Sequence, residues 1–184
     1  MLADAVAERR RGDGVSPVCV LVGVMGAGKT TVGQLVADAL GVDFRDADAD
    51  IEATAGRSIP EIFVDDGEDH FRALERAAAA AALERYDGVL ALGGGAVLAD
   101  ETRARLRGHP VVYLTVSLAD ALKRVGLGQG RPLLAVNPRA TLRHLMEQRR
   151  PLYEEVATVT VDTSGRTAKE VAEAVLAALD GCTP

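Results

Sequence analysis

The chain has 184 residues, of which 48% are hydrophobic and 26% are charged, proportions typical of one globular domain with a sizeable core. Its formal net charge of −6 argues against a nucleic-acid-binding protein, because such proteins need an extensive basic face. No apolar stretch has the length of a membrane-spanning helix, and the 2 cysteines are too few for a disulfide framework, so we expect a cytoplasmic protein without a membrane partner.

The first residues differ in composition from the remainder of the chain. Residues 1–16 end in the polar, glycine-containing run Arg-Arg-Arg-Gly-Asp-Gly-Val-Ser, which predicts a flexible N-terminal extension. Regular strand and helix patterns begin after this run and continue to about residue 180. We therefore expect a single domain over residues 17–180, followed by a short tail at 181–184.

The first predicted strand and helix enclose a phosphate-binding motif. Residues 18–22 are consecutive apolar residues, typical of a buried strand, and the apolar spacing over 31–40 is that of one helix face. Between them, Gly23-Val-Met-Gly-Ala-Gly-Lys-Thr30 fits the pattern G-x-x-x-x-G-K-[ST]. The glycines allow positive φ and close approach of backbone N–H groups to a polyphosphate, Lys29 reaches the outer phosphates, and the Thr30 hydroxyl binds Mg²⁺. A glycine-rich turn that binds nothing would not explain the Lys-Thr pair.

Further strands and helices alternate along the remainder of the chain. Apolar runs bounded by turn residues predict strands at 42–45, 88–92, 111–116 and 158–161. Apolar spacing and capping residues predict a helix ending near 55 and further helices at 58–64, 67–86, 100–107, 117–125, 138–155 and 167–179. This alternation predicts an α/β fold, a doubly wound five-stranded parallel sheet with helices on both faces.

The sequence also predicts a mobile lid within a basic segment. Three glycines and one proline occur within residues 126–132, which indicates a mobile loop, and we expect a lid at about 126–137. Between residues 123 and 150 there are seven basic residues and one acidic residue. This segment either binds a small anionic ligand or forms a solvated helix face, and the residues alone leave both open.

The ends of the predicted strands indicate a ligand site. Ligands of open α/β sheets bind beyond the carboxyl ends of the strands, where the phosphate loop, Asp46, Asp48 and the three glycines at 93–95 are expected. Aspartates there either cap a helix, or hold Mg²⁺ through water and accept the proton of a reacting hydroxyl. A pair at one face favours the second role. Three consecutive glycines suit close approach of a ligand to the backbone. Arg72 and Glu75 are spaced i, i+3, which by itself favours a weak surface ion pair.

Six further motifs follow the phosphate loop in order: Asp46-Ala-Asp48, Gly56-Arg-Ser-Ile-Pro-Glu-Ile-Phe63, Gly67-Glu-Asp-His-Phe-Arg72-Ala-Leu-Glu75, Leu92-Gly-Gly-Gly-Ala-Val97, Arg131-Pro-Leu-Leu134 and Arg149-Arg-Pro-Leu-Tyr153. With these motifs the chain resembles the shikimate kinase family over about residues 17–179. The resemblance implies a P-loop kinase-type fold and ATP-dependent phosphorylation of the 3-hydroxyl of shikimate, in the pathway to chorismate and aromatic amino acids. It also implies ATP and Mg²⁺ as cofactors, and we expect a monomer.

The resemblance further implies a role for each matching position. The residues implied to bind ATP are Gly26, Ala27, Gly28, Lys29, Thr30, Thr31, Arg124, Arg131 and Arg166. Those implied to bind shikimate are Asp48, Arg72, Glu75, Gly93, Gly94, Gly95 and Arg149, with the two arginines on the carboxylate and Glu75 orienting them. The implied catalytic residues are Lys29, Asp48 and Arg131, the last on the lid. Mg²⁺ would be held by Thr30 and, through water, by Asp46.

Three other functions remain open at this point. A gluconate-type kinase would act on another polyhydroxylated carboxylate with a related fold. A nucleotide-binding switch that hydrolyses little would leave Arg72, Arg149 and the three glycines unexplained. A nucleoside monophosphate kinase would need recognition of a base at the acceptor site, and no residues here indicate that recognition.

Overall fold

A computed structural model describes residues 15–125 and 137–181 of the chain. Most of the predicted N-terminal extension, the predicted lid up to residue 136, and residues 182–184 lie outside this part. Across the described residues, no helix combines the length and the apolar character needed to cross a bilayer.

The described residues form five strands and eight α-helices. The strands are β1 (Cys19–Val22), β2 (Phe44–Asp46), β3 (Val89–Ala91), β4 (Val111–Thr115) and β5 (Val159–Asp162). The helices are α1 (Lys29–Leu40), α2 (Ala47–Ala55), α3 (Ile59–Asp65), α4 (Gly67–Arg85), α5 (Asp100–Leu106), α6 (Leu118–Val125), α7 (Pro138–Val156) and α8 (Ala168–Gly181), and a 3₁₀ helix covers Ala96–Leu98. These bounds confirm the predicted elements, whose ends shift by at most two residues.

All five strands lie in one parallel sheet with the order β2-β3-β1-β4-β5. Val20 of β1 is opposite Leu90 of β3 on one side and Val111 of β4 on the other. The strand order reverses at β1, since β2 and β3 lie on one side of it and β4 and β5 on the other. The carboxyl end of β1 is therefore the switch point at which doubly wound sheets bind their ligands. This topology confirms the predicted fold class.

Helices cover the sheet in two groups. Helix α1 packs on α8, while α4 packs on α5 and α5 on α7. Strands β1 and β3 are wholly buried, as expected of parallel strands covered on both faces. Gly33 allows α1 to lie close to the sheet, because a Cβ there would overlap the Phe44 ring. Helices α4 and α7 both contact the 3₁₀ helix that follows β3, which places them near the carboxyl ends of the central strands.

A small second apolar cluster lies beside the main core. Ile51 of α2, Ile62 of α3 and Phe71 of α4 are buried against one another. Helix α2 follows β2 directly, so this cluster ties the helices that carry Asp48 and Arg72 to each other at the ligand end of the sheet.

Candidate active site

The loop between β1 and α1 has the geometry of a phosphate-binding loop. Gly26 and Gly28 have φ values of 79° and 93°, in the left-handed region that glycine adopts without strain. Gly28 is the N-cap of α1 and provides no side-chain acceptor for the first-turn N–H groups, which leaves these donors suited to an anion. Lys29 Nζ donates to the carbonyl oxygens of Gly23 and Val24 at 2.8 and 3.1 Å. The ammonium group therefore lies over the loop.

Thr30 and Asp46 place a hydroxyl and a carboxylate next to this loop. Thr30 Oγ1 donates to Asp46 Oδ2 at 2.8 Å. Asp46 also caps α2, since its Oδ1 accepts from the Asp48 N–H at 3.0 Å, so the capping role and a ligand role use different oxygens. No cluster of three or more His, Cys, Asp or Glu side chains suited to a metal occurs within the described ranges. One hydroxyl and one carboxylate fit Mg²⁺, which keeps several waters and binds substrate phosphates.

The three glycines after β3, residues 93–95, form a backbone wall beside the phosphate loop. Each lies beside predicted site residues: Gly93 lies beside Asp48 and Glu75, Gly94 beside Arg149 and Gly95 beside Arg72. A Cβ at position 93 would overlap the Asp48 carboxylate, and a Cβ at position 95 would overlap the Arg72 guanidinium. The glycine wall therefore brings together side chains from α2, α4 and α7.

Arg72 is held from two sides by carboxylates of its own helix. Its Nη1 donates to Glu75 Oε2 at 2.7 Å and its Nη2 donates to Glu68 Oε1 at 3.0 Å. Glu75 is only 4% exposed. The Arg72–Glu75 ion pair is therefore present but buried, and the prediction of a surface pair from the spacing alone is wrong. Burial by itself would lower the pKa of Arg72, but the Glu75 and Glu68 carboxylates raise it above the ordinary value of an arginine. Arg72 therefore stays charged and keeps one orientation.

Arg149 reaches the glycine wall from α7. It is 4% exposed, and its Nη1 donates to the Gly94 carbonyl at 2.9 Å. Guanidinium has five N–H donors, so its remaining donors can serve a ligand carboxylate in the bidentate geometry that arginine favours. Glu75 accepts a hydrogen bond from Arg72, whereas no hydrogen bond from Arg149 to Glu75 is seen between described residues. The structure thus places both arginines that are predicted to bind the acceptor carboxylate at the glycine wall.

Arg124 and Arg166 lie at the carboxyl end of β5. Arg124 donates to the Gly26 carbonyl at 3.3 Å and to the Thr163 hydroxyl and carbonyl at 2.8 and 2.7 Å. Arg166 donates to the Asp162 carbonyl at 3.1 Å. Sequence reasoning missed Thr163, which joins the phosphate loop to the β5 end through Arg124. Its signal was a polar residue directly after β5, at the ligand edge of the sheet.

The remaining predicted positions are placed as follows. Ala27 is buried within the phosphate loop, and Thr31 is exposed in the first turn of α1. Arg131 lies outside the described residues. In the basic segment, Arg149 is buried, and the exposed basic residues of α6 and α7 are Lys123, Arg124, Arg139, Arg143 and Arg150. The exposed positions fit a solvated helix face, while binding of a small anionic ligand by this segment stays a prediction.

Comparisons with known proteins show the family and the fold of this chain. The family model described as shikimate kinase matches residues 25–180. A shikimate kinase of Salinispora arenicola is 67% identical over 165 residues, covering 90% of this chain and 99% of that protein. The structure of shikimate kinase from Acinetobacter baumannii in complex with shikimate matches with a TM-score of 0.87 and 40% identity, over 92% of this chain and 96% of that one. A gluconokinase structure from Sinorhizobium meliloti matches with a TM-score of 0.55 and 25% identity, over 91% and 92%. The chain therefore belongs to the shikimate kinase family.

Proposed function

We infer that this protein transfers a phosphoryl group from ATP to the 3-hydroxyl of shikimate, giving shikimate 3-phosphate and ADP, in the pathway to chorismate and aromatic amino acids. The observation that carries this inference is the position of the phosphate loop beside a wall that gathers Asp48, Arg72 and Arg149. The loop suits a polyphosphate, two guanidinium groups suit a carboxylate, and one carboxylate suits a hydroxyl. Shikimate presents both a carboxylate and hydroxyls, and the Acinetobacter relative was solved with it.

The side chains would act mainly by positioning and by charge. Phosphoryl transfer needs little covalent chemistry from a protein. Arg72 and Arg149 would fix the acceptor through its carboxylate, and Asp48 would orient the reacting hydroxyl and accept its proton. Lys29 would hold positive charge over the phosphates. Arg131 is proposed as a lid arginine from the family resemblance alone.

We propose Mg²⁺ as the metal, held by the Thr30 hydroxyl and, through water, by Asp46. The support is their 2.8 Å hydrogen bond beside the phosphate loop. When bound, Mg²⁺ supplies positive charge against the phosphate oxygens. The other residues proposed to contact ATP lie in the loop, in the first turn of α1 or at the end of β5: Gly26, Ala27, Gly28, Thr31, Arg124 and Arg166.

The proposal assigns catalysis to a single domain over residues 17–180, with an extension at 1–16, a lid at about 126–137 and a tail at 181–184. We propose that the protein acts as a monomer. We propose that it acts in the cytoplasm without a nucleic-acid or membrane partner.

Release of ADP with different acceptors tests this function. Purified protein is given ATP and Mg²⁺ alone, with shikimate, or with gluconate, and ADP is followed by a coupled assay. We expect turnover that depends on shikimate and a product carrying one phosphate. Turnover with gluconate but not with shikimate would indicate a gluconate-type kinase. Slow ADP release at a rate that neither shikimate nor gluconate changes would indicate a nucleotide-binding switch.

Substituting Gly95 by alanine should weaken shikimate binding by about 10-fold, the effect of losing a typical hydrogen bond near 1.4 kcal/mol. The Gly95 φ of −96° is open to alanine, so the fold should persist. The added Cβ would overlap the Arg72 guanidinium and displace it from the carboxylate. Calorimetry with shikimate and with ATP measures the change, which should affect shikimate alone.

Gly181→Ala is the matched control, because a Cβ there meets no atom within 4 Å. It should bind both ligands as the wild type does. A Gly95→Ala protein with wild-type affinity for shikimate would mean that Arg72 is not a ligand of the acceptor.

A further inference from the structure

Two side chains of α7 bind the same backbone atom of the glycine wall. The Tyr153 hydroxyl donates to the Gly94 carbonyl oxygen at 2.6 Å, and Arg149 Nη1 donates to that oxygen at 2.9 Å. A carbonyl oxygen has two lone pairs, so it accepts both hydrogen bonds. Residues four apart on a helix share one face, which is how Arg149 and Tyr153 reach one point.

A proline separates these two residues within the helix. Pro151 lies inside α7, and proline has no N–H and crowds the carbonyl four residues earlier, so the helix is weakened at this turn. The hydrogen bonds from Arg149 and Tyr153 attach the chain on both sides of Pro151 to Gly94. The Tyr153 hydrogen bond is therefore a second attachment of α7 to Gly94, made beyond the proline.

The surroundings of Tyr153 fix its ring. The side chain is 0% exposed, and its ring stacks on Tyr113 of β4 with the ring centroids 4.9 Å apart and the planes 25° apart. Burial raises the pKa of the Tyr153 hydroxyl well above its ordinary value. The hydroxyl therefore keeps its proton and remains a donor to Gly94. The Tyr153 ring thus packs on β4, and its hydroxyl contacts the glycine wall from the side of α7.

We propose that Tyr153 is a positioning residue of the acceptor site, whose hydroxyl fixes the Gly94 carbonyl and thereby aims the Arg149 guanidinium at the acceptor carboxylate. Tyr153 acts through Gly94 and Arg149 rather than on the acceptor itself. The inference rests on the proposed function and deepens it, because it assigns part of the affinity for the acceptor to a group behind the wall.

Tyr153→Phe tests this role. The variant loses the hydroxyl but keeps the ring and its stacking, and Gly94 keeps its hydrogen bond from Arg149, so no buried acceptor is left unsatisfied. We expect KM for shikimate to rise about 3- to 10-fold, the effect of one neutral hydrogen bond. The kcat and the KM for ATP should stay within about two-fold of wild type, the split expected when uniform binding of one substrate is lost.

Tyr113→Phe is the matched control, since it removes a hydroxyl from the other ring of the same stack and leaves the Gly94 hydrogen bonds in place. Its KM for shikimate should equal that of the wild type. A Tyr153→Phe enzyme with a lower Tm but an unchanged KM for shikimate would show that Tyr153 only stabilises the fold, and would overturn the proposal. Equal increases of KM for shikimate in Tyr153→Phe and Tyr113→Phe would also overturn it. A wild-type protein without shikimate-dependent ADP release would instead contradict the proposed function and, with it, this inference.

Discussion

Replacing Asp48 with asparagine is expected to reduce kcat by about 10²- to 10⁴-fold, the usual contribution of a general base. The amide oxygen is far less basic than the carboxylate, while the two side chains have nearly the same shape. Asp48 lies in the first turn of α2 against Gly93, so the fold and the affinity for ATP should persist. The kcat and the KM for shikimate, measured by coupled ADP release, report the change.

Asp46→Asn is the matched control for this variant. Asp46 accepts a hydrogen bond from Thr30, and we attribute its role to placement of Mg²⁺. Raising the Mg²⁺ concentration should partly restore Asp46→Asn but not Asp48→Asn. An Asp48→Asn enzyme with nearly normal kcat at saturating shikimate and a raised KM would assign Asp48 to substrate binding alone, because that pattern marks a loss of uniform binding.

Arg149→Lys is expected to weaken shikimate binding by about 1.5–3 kcal/mol, the range for hydrogen bonds to charged groups. Lysine keeps the charge but lacks the planar fork that binds a carboxylate through two parallel hydrogen bonds. The structure adds a second reason, since one N–H of Arg149 is committed to Gly94. A single ammonium group cannot keep that bond and also present a planar pair of donors. Calorimetry measures the loss, and the affinity of the free enzyme for ATP should hardly change.

The neighbouring Arg150 provides the control for this substitution, because it is exposed on the same helix. Arg150→Lys should leave the Kd for shikimate at its wild-type value. Equal losses of affinity for ATP and shikimate in Arg149→Lys would point to a general folding defect and would contradict the proposed carboxylate contact.

Features that depend on neighbouring residues were predictable from the sequence. The capping box of Ser58 and Glu61 uses groups three residues apart and is present in the structure. The positive φ of Gly26 and Gly28 follows from a short motif that places a loop at the N-terminus of a helix. The strand and helix bounds likewise follow from local periodicity, which is why they agree within two residues.

Contacts between distant segments could not be predicted in this way. Arg149 bonds a carbonyl 55 residues earlier in the chain, and Arg124 bonds Thr163 39 residues later. The spacing of Arg72 and Glu75 shows that they share a helix face, but whether that face is buried depends on how α4 packs against the glycine wall. The surface ion pair that their spacing favours is wrong for this reason. The family resemblance supplied roles for these residues that their own pattern did not contain.

A crystal structure of the protein with shikimate and ADP bound tests the proposed acceptor site most directly. We expect the shikimate carboxylate oxygens to lie about 2.7–2.9 Å from guanidinium nitrogens of both Arg72 and Arg149, the range for charge-assisted hydrogen bonds. We also expect the 3-hydroxyl to lie within hydrogen-bond distance of the Asp48 carboxylate. A carboxylate bound away from both arginines, or a 3-hydroxyl remote from Asp48, would contradict the proposed acceptor site.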